Sequence, residues 1–154
     1  MKDLTPGRIY LIPEESAFDL TIEAALTSGI NLLVCGNRLP FYDIAYALAG
    51  RVGQAYHSLL QEKILFSRAE TCTQFLDFLS HLSRLSAPLL VTDMLSRFND
   101  EDERHVDELF FACQVELQRL SKDQMVFVTA RARPPLERLG YALSRATQLV
   151  EGVA

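Results

Sequence analysis

The chain has 154 residues, of which 49% are hydrophobic and 23% are charged, and its formal net charge is −5. These proportions are typical of a globular domain with one core, and they exclude a collagen, a disordered tail and a disulfide-dense secreted module. The acidic balance argues against a protein wrapped generally in nucleic acid, since neutralising phosphates needs positive charge, but it is compatible with one local basic patch. We therefore expect a single domain over residues 1–154.

The N-terminal residues lack the apolar core of a signal peptide. The longest apolar runs, residues 32–35 and 109–113, are far shorter than the roughly 20 residues that cross a bilayer. Cys35, Cys72 and Cys113 each lie inside an apolar segment, where cysteine usually behaves as a small buried hydrophobe. The sequence thus predicts a cytoplasmic protein with reduced thiols and no membrane contact.

Five short apolar runs, each near a turn or helix signal, are typical of strands buried on both faces. They are residues 8–12, 30–35, 63–67, 89–92 and 125–129, and residues 147–150 are a candidate sixth.

Segments with helical spacing of apolar residues separate most of these strands. They are residues 18–28, 42–49, 71–85 and 102–121. In the third of them, Cys72, Phe75 and Leu79 fall on one stripe, and Pro88 follows as a helix breaker. Alternating strands and helices predict an α/β domain of three layers, α/β/α, with a mostly parallel central sheet.

Ligands of such sheets bind beyond the carboxyl ends of the strands. In segment order and apolar pattern the chain resembles the core of RecA-like recombinases, and most nearly the RadA, RadB and KaiC-type relatives. The segments that carry the resemblance are PGRIYLI, INLLVCGN, KILFSRAETCTQFLDFL, PLLVTDMLSRF and MVFVTARAR. The resemblance implies a RecA-like domain of P-loop ATPase type and an oligomer that uses subunit contacts.

The resemblance places the family's phosphate loop, G-x-x-x-x-G-K-[ST], directly after the first strand. Glycines in that motif let backbone N–H groups surround the phosphates, and the lysine reaches the β- and γ-phosphates. This sequence has no glycine at the eight positions, with Asp19 in place of the lysine. We therefore expect a pseudo-ATPase that repels ATP and uses no cofactor. The eight degenerate positions are Pro13, Glu14, Glu15, Ser16, Ala17, Phe18, Asp19 and Leu20.

A second register begins at Gly36 and ends at Asp43, and it lacks the lysine as well. We prefer the first register, since it leaves the right number of strands before Asp93. Asp93 matches the family's Walker B aspartate, and Asn37 stands where the family has an acidic residue. A single aspartate at a strand end is more often a turn or helix-cap acceptor than a Mg²⁺ ligand.

Two charged segments and three weaker signals remain. Residues 97–108 hold two arginines against six carboxylates, which favours a helix N-terminus over an acidic docking surface. Phe66–Ser–Arg–Ala69 fits the F-x-x-A motif with which recombinases dock, but core packing is favoured because it falls on a strand. His57, His81 and His105 stand apart, so no metal site is predicted.

Residues 131–145 hold four arginines and one glutamate, where the family has its second DNA-binding loop. A solvated surface is favoured over contact with nucleic acid or a partner, since no aromatic residues lie between the arginines of residues 131–138. The candidate contact residues are Arg131, Arg133, Arg138 and Arg145.

Three functions follow as hypotheses. The favoured one is a non-catalytic RecA-fold protein that acts as an assembly or regulatory partner, of an active RecA-like ATPase in DNA repair or recombination or of itself as a homodimer. The second is a DNA-binding recombination auxiliary that uses residues 131–145. The third is an enzyme whose site contains Asp93 beside Asn37.

Overall fold

The computed structural model describes residues 4–36 and 41–150. Within them, six parallel strands form one sheet in the order β3-β2-β4-β5-β1-β6. The strands are β1 (Ile9–Leu11), β2 (Ile30–Val34), β3 (Ile64–Arg68), β4 (Leu89–Thr92), β5 (Val126–Val128) and β6 (Gln148–Leu149).

Six α-helices and two short 3-10 helices connect the strands in the described part of the chain. The α-helices are α1 (Glu14–Ala25), α2 (Phe41–Val52), α3 (Tyr56–Glu62), α4 (Cys72–His81), α5 (Glu103–Ser121) and α6 (Glu137–Ala146). The 3-10 helices are Gly53–Ala55 and Ser96–Asp100.

Each face of the sheet is covered by three helices, and each has its own apolar core. Side chains of successive strand residues point to opposite faces. Leu32 therefore packs in the core beneath α1, α2 and α3, whereas its neighbour Leu33 packs in the core beneath α4, α5 and α6. This double burial explains why the strands are apolar without alternation.

The predicted fold class is confirmed. The chain is an α/β domain of three layers, and its sheet is wholly parallel in the described residues, an arrangement consistent with a RecA-like fold. All five predicted strands are present, and the candidate sixth is the two-residue strand β6.

Several predicted helix boundaries are wrong. Helix α1 begins at Glu14 rather than at residue 18, and α4 ends at His81 rather than at residue 85. Two helices, α3 and α6, were not predicted. Helix α3 has no buried residue, and α6 buries Leu139 and Leu143, so neither carries a long apolar stripe.

The structure also bears on the predictions for the acidic segment, the three cysteines and membrane-spanning helices. Asp102 caps α5 by accepting a hydrogen bond from the Arg104 N–H at 3.0 Å, which confirms a helix N-terminus in the acidic segment. The three cysteines are buried and form no disulfide. Among the described residues, no helix is long and apolar enough to span a membrane.

Candidate functional site at the carboxyl end of the sheet

The carboxyl ends of β1, β4 and β5 bring a group of polar residues together, which we call the carboxyl-end cluster. Glu14 opens α1, Asp93 follows β4, and Thr129 follows β5. The Thr129 hydroxyl accepts a hydrogen bond from the Asp93 N–H at 2.8 Å, and the Thr129 carbonyl accepts one from the Met94 N–H at 2.9 Å. The members of the cluster are Glu14, Asp93, Thr129, Arg131 and Arg133.

Asp93 adopts a left-handed backbone conformation, with φ of 53°. Aspartate is one of the few residues other than glycine that enters this region readily. Its side chain lies against Gly36 at the end of β2, where an added Cβ would come within 2.8 Å of the Asp93 Cβ. Position 36 therefore requires glycine, because the side chain of Asp93 fills the space.

The environment of Asp93 raises the pKa of its carboxyl group. Burial raises the pKa of the Asp93 carboxyl above its ordinary value, and the nearby carboxylate of Glu14 raises it further. The guanidinium groups of Arg133, Arg131 and Arg97 lower this pKa without reversing the shift. The net effect is a carboxyl group that is held among charges of both signs and is harder to ionise than an aspartate in water.

Glu14 and Arg131 close the cluster on its solvent side. The Arg131 Nη2 donates to the Glu14 Oε2 at 2.7 Å, and the two side chains are about half exposed. This ion pair links the first turn of α1 to the segment after β5. One of the two guanidinium groups nearest to the site is therefore already neutralised by a carboxylate of the same chain.

The segment between Arg131 and Arg133 is packed on helix α6. An added Cβ on Gly140 of α6 would lie 2.5 Å from the Cβ of Ala132, so the two residues are in close contact. This contact fixes the middle of the segment against α6, between the two exposed arginines.

The predicted phosphate loop is a helix. Of the eight positions 13–20, seven lie in α1, and only Ile12 and Pro13 separate β1 from that helix. Ser16, Ala17 and Leu20 are buried in its inner face, whereas Glu14, Glu15 and Asp19 are exposed. The expectation of a loop at these positions is wrong, because two connecting residues are too few to encircle a phosphate.

One buried polar atom at this end of the sheet lacks a partner. The Thr92 hydroxyl, on the last residue of β4, has no hydrogen-bond partner in the part of the chain that the structure describes.

The four arginines of residues 131–145 do not form one loop. Arg138 and Arg145 lie on α6, where Arg138 Nε donates to Asp107 Oδ1 at 3.2 Å. The guanidinium of Arg145 lies 5.7 Å from the centre of the Tyr141 ring. The basic segment is therefore spread over a short loop and a helix, and three of its four side chains have partners within the chain.

Sequence reasoning missed two residues of this region. Gly36 was noted as the start of a glycine register, but its contact with Asp93 has no signal in the sequence. Arg97 is buried, donates through Nε to the Ala69 carbonyl at 3.0 Å, and lies 3.9 Å from Glu70. Asn37, which the sequence placed beside Asp93, lies outside the described residues, as do its three successors in the second register.

A metal site was not predicted, and no group of three histidine, cysteine or acidic side chains close enough to hold a metal ion occurs in residues 4–36 and 41–150. His81 is exposed, and its Nδ1 is hydrogen-bonded to the Asp77 carbonyl at 2.7 Å. No protein-family model matches the chain, and no curated protein matches its sequence.

Proposed function

We propose that the chain is a non-catalytic RecA-like domain that acts as an assembly or regulatory partner. The proposal rests on the charged groups at the carboxyl end of the sheet, which is where ligands of parallel sheets bind. There the Glu14–Arg131 ion pair and the Asp93 carboxyl occupy the ends of β1, β4 and β5. Charged groups of the chain itself therefore lie at this position.

Electrostatics supports the proposal. Two unit charges of the same sign about 4 Å apart repel by about 1 kcal/mol in water, and by more where water is excluded. A nucleotide phosphate near Glu14 and an ionised Asp93 would meet this repulsion. It would also have to compete with Glu14 for Arg131, whose Nη2 is 2.7 Å from the glutamate oxygen.

The surface supports a role in protein contact. Large aromatic side chains on three different helices are exposed, and aromatic residues are enriched where proteins meet. Tyr42 is 88% exposed, and Phe111 is 67% exposed. An active RecA-like ATPase in DNA repair or recombination is the partner class that we propose first, with a cytoplasmic location that fits the three free, buried thiols.

Titration calorimetry with Mg–ATP tests the non-catalytic part of the proposal. We expect no binding heat and no release of phosphate from ATP. Micromolar affinity together with turnover would overturn it. Titration of magnesium alone is the matched control, since any additional heat must then come from the nucleotide.

The regulatory part is tested with a RecA-like ATPase of the same organism. We expect the chain to form a complex with that ATPase and to change its rate of ATP hydrolysis. An unchanged rate and the absence of a complex at micromolar concentrations would overturn this choice of partner.

DNA binding is the second candidate function, because Arg131 and Arg133 are both exposed in one short loop. The pairing of Arg131 with Glu14 makes it the weaker candidate, since binding to phosphate has to break that contact. A gel shift that disappears in the Arg131→Glu, Arg133→Glu double variant and weakens with salt would favour it. No shift at low salt would exclude it.

A further inference from the structure

Helix α1 carries a row of carboxylates on its outward face. Glu15, Asp19 and Glu23 follow one another at intervals of four residues, which places them on one side of the helix, and all three are exposed. Leu20 and Ala24, on the opposite side, are buried. The helix contains four carboxylates and no basic residue, so nothing within α1 itself neutralises the row.

The helix dipole does not account for this row. Carboxylates stabilise the first turn of a helix, and the effect fades within that turn. Glu15 lies in the first turn, whereas Asp19 lies beyond it and Glu23 lies near the C-terminal end, where a negative charge is unfavourable. Carboxylates four residues apart also repel each other. The row therefore destabilises the free chain, and a basic partner would relieve the repulsion.

Helix α2 presents two tyrosines in the same layer of the fold. Tyr42 and Tyr46 lie one turn apart and are 88% and 85% exposed, whereas Ile44 is buried on the inner side. Both helices pack their inner sides in the same apolar core, and the Arg51 Nη1 of α2 donates to the Glu23 Oε1 of α1 at 3.1 Å. Their outward rows therefore form one surface. We call it the α1–α2 face, and its members are Glu15, Asp19, Glu23, Tyr42 and Tyr46.

The aromatic surface continues from α2 to β3, an edge strand of the sheet. The ring of Phe41 lies 6.4 Å from the ring of Tyr42 and 6.3 Å from the ring of Phe66. Phe66 is 46% exposed, although the F-x-x-A interpretation assigned it to the core, so that expectation is wrong for Phe66. Contiguous exposed apolar surface usually marks a site of interaction.

The charge of the two helices determines the sign of the partner. Helices α1 and α2 hold five carboxylates against one arginine, a formal charge of −4, in a chain whose total is −5. Two of the carboxylates, Glu14 and Glu23, are paired with arginines of the chain. Glu15, Asp19 and Asp43 have no ion-pair partner in the part of the chain that the structure describes. The surface is therefore negative.

We infer that the α1–α2 face binds a basic segment of a partner protein, one rich in arginine and lysine. Carboxylates attract the cationic groups of such a segment, and the faces of tyrosine rings attract them as well, through cation–π contacts. The aliphatic stems of arginine and lysine cover apolar surface while their charged ends stay in water. Both kinds of exposed side chain on the face thus select the same partner chemistry.

The same charges disfavour other occupants. A two-fold contact pairs a surface with itself, so a second copy would bring its own acidic row against this one. Like charges that face each other across an interface oppose binding. Nucleic acid would likewise bring its phosphates against carboxylates. A basic protein segment is the occupant that meets opposite charge.

This inference deepens the proposed function, since it names a surface and the chemistry of the partner's segment, and it rests on that proposal for the view that the chain works through protein contact. The two fail separately. Turnover of Mg–ATP would overturn the non-catalytic proposal and leave the binding of a basic segment untouched. Absence of such binding would overturn the inference and leave the calorimetry unchanged.

Fluorescence anisotropy with the full chain and a labelled peptide tests the inference. The probe is a short peptide of alternating arginine and serine, and the control peptide has glutamate in place of arginine. At low ionic strength we expect saturable binding of the arginine peptide in the micromolar range and no binding of the glutamate peptide. Added salt is expected to weaken the binding, because it screens exposed charges.

Paired substitutions separate the α1–α2 face from a general attraction to an acidic protein. Asp19→Lys is expected to weaken peptide binding about three- to tenfold. Glu108→Lys makes the same change in net charge on α5, which covers the opposite face of the sheet, and is expected to weaken binding less than about twofold. Tyr46→Ala is expected to weaken binding about two- to fivefold through the loss of a cation–π contact. Tyr141→Ala on α6 is its matched control, since Tyr141 is 65% exposed, and it is expected to bind as the wild type does.

Circular dichroism checks that each variant folds, and Asp19→Ala provides a second variant if Asp19→Lys does not. The absence of saturable binding to the arginine peptide would overturn the inference, as would equal losses in Asp19→Lys and Glu108→Lys. A concentration-dependent dimer in sedimentation velocity that Tyr46→Ala dissociates would assign the face to a second copy, and it would overturn the inference as well.

Discussion

The carboxyl-end cluster and the edge strand β3 lie in the same sheet and differ in the groups that they expose. At the carboxyl end, polar and charged groups have partners within the chain, as in the Glu14–Arg131 ion pair at 2.7 Å. On β3, the apolar side chains of Leu65 and Phe66 are 60% and 46% exposed. The usual ligand position of a parallel sheet is therefore the charged and internally paired region, whereas the edge strand is the apolar one.

The largest expected effect separates a core phenylalanine from an edge phenylalanine. Phe127 in β5 is fully buried, with its ring 5.8 Å from that of Tyr10. We expect Phe127→Ala to lower the free energy of unfolding by about 3–5 kcal/mol, and Phe66→Ala by less than about 1 kcal/mol. Urea unfolding at low protein concentration measures both. Equal losses would show that Phe66 contributes to the fold as much as a core phenylalanine does.

The next effect tests how tightly the carboxyl-end cluster is packed. Gly36→Ala places a methyl group against the Asp93 side chain, and we expect a loss of about 1–3 kcal/mol in the free energy of unfolding. Adding Asp93→Gly removes the clash and suits the φ of 53°, so the double variant is expected to regain part of the loss. An unchanged melt in Gly36→Ala alone would contradict the contact.

The pH dependence of stability tests the charge environment of Asp93. Because the pKa of its carboxyl is raised in the folded state, Asp93 contributes most to the free energy of unfolding at pH values below the ordinary aspartate pKa. That contribution is lost as the pH rises through the raised pKa. We expect Asp93→Asn, which tolerates the same backbone conformation, to be more stable than the wild type at neutral pH and equally stable in acid.

Asp102→Asn is the matched control for this pH profile. Its hydrogen bonds from Arg104 lower the pKa of the Asp102 carboxyl, so its contribution is present at neutral pH and lost in acid. We expect the two substitutions to change the pH profile in opposite directions. Chemical denaturation across the acidic range measures both, and changes of the same sign would contradict the assigned environments.

The smallest expected effect concerns the Glu14–Arg131 ion pair. Exposed pairs of this kind contribute about 0.2–1 kcal/mol, and salt screens them. We expect Glu14→Gln to lower the free energy of unfolding within that range and to leave Mg–ATP binding absent. Glu23→Gln is the matched control, since its exposed pair with Arg51 spans 3.1 Å on another part of the surface. A gain of nucleotide binding in Glu14→Gln alone would show that this carboxylate is what excludes the ligand.

Hydropathy patterning predicted the layers of the fold, because each strand buries both faces and must be apolar along its length. The pattern failed where burial is slight, as in α3, which has no buried residue. Local sequence also could not place the start of α1. Pro13 and Glu14 are compatible with a loop or with a first helical turn, and tertiary packing of Ser16 and Ala17 decides between them.

The candidate site was only partly predictable. Asp93 was identified from its place at the end of a strand, and Arg131 from the basic segment of residues 131–145. The pairing of Arg131 with Glu14 joins residues 117 positions apart, and no local signal encodes it. The exposure of Phe66 depends on β3 lying at an edge, which strand order decides and the strand's own sequence does not.

Hydrogen–deuterium exchange of the full chain, measured with and without Mg–ATP, tests the central claim most directly. The account predicts that residues 14–20 and 129–133 exchange at the same rate with and without nucleotide. Protection of residues 129–133 by Mg–ATP would contradict it.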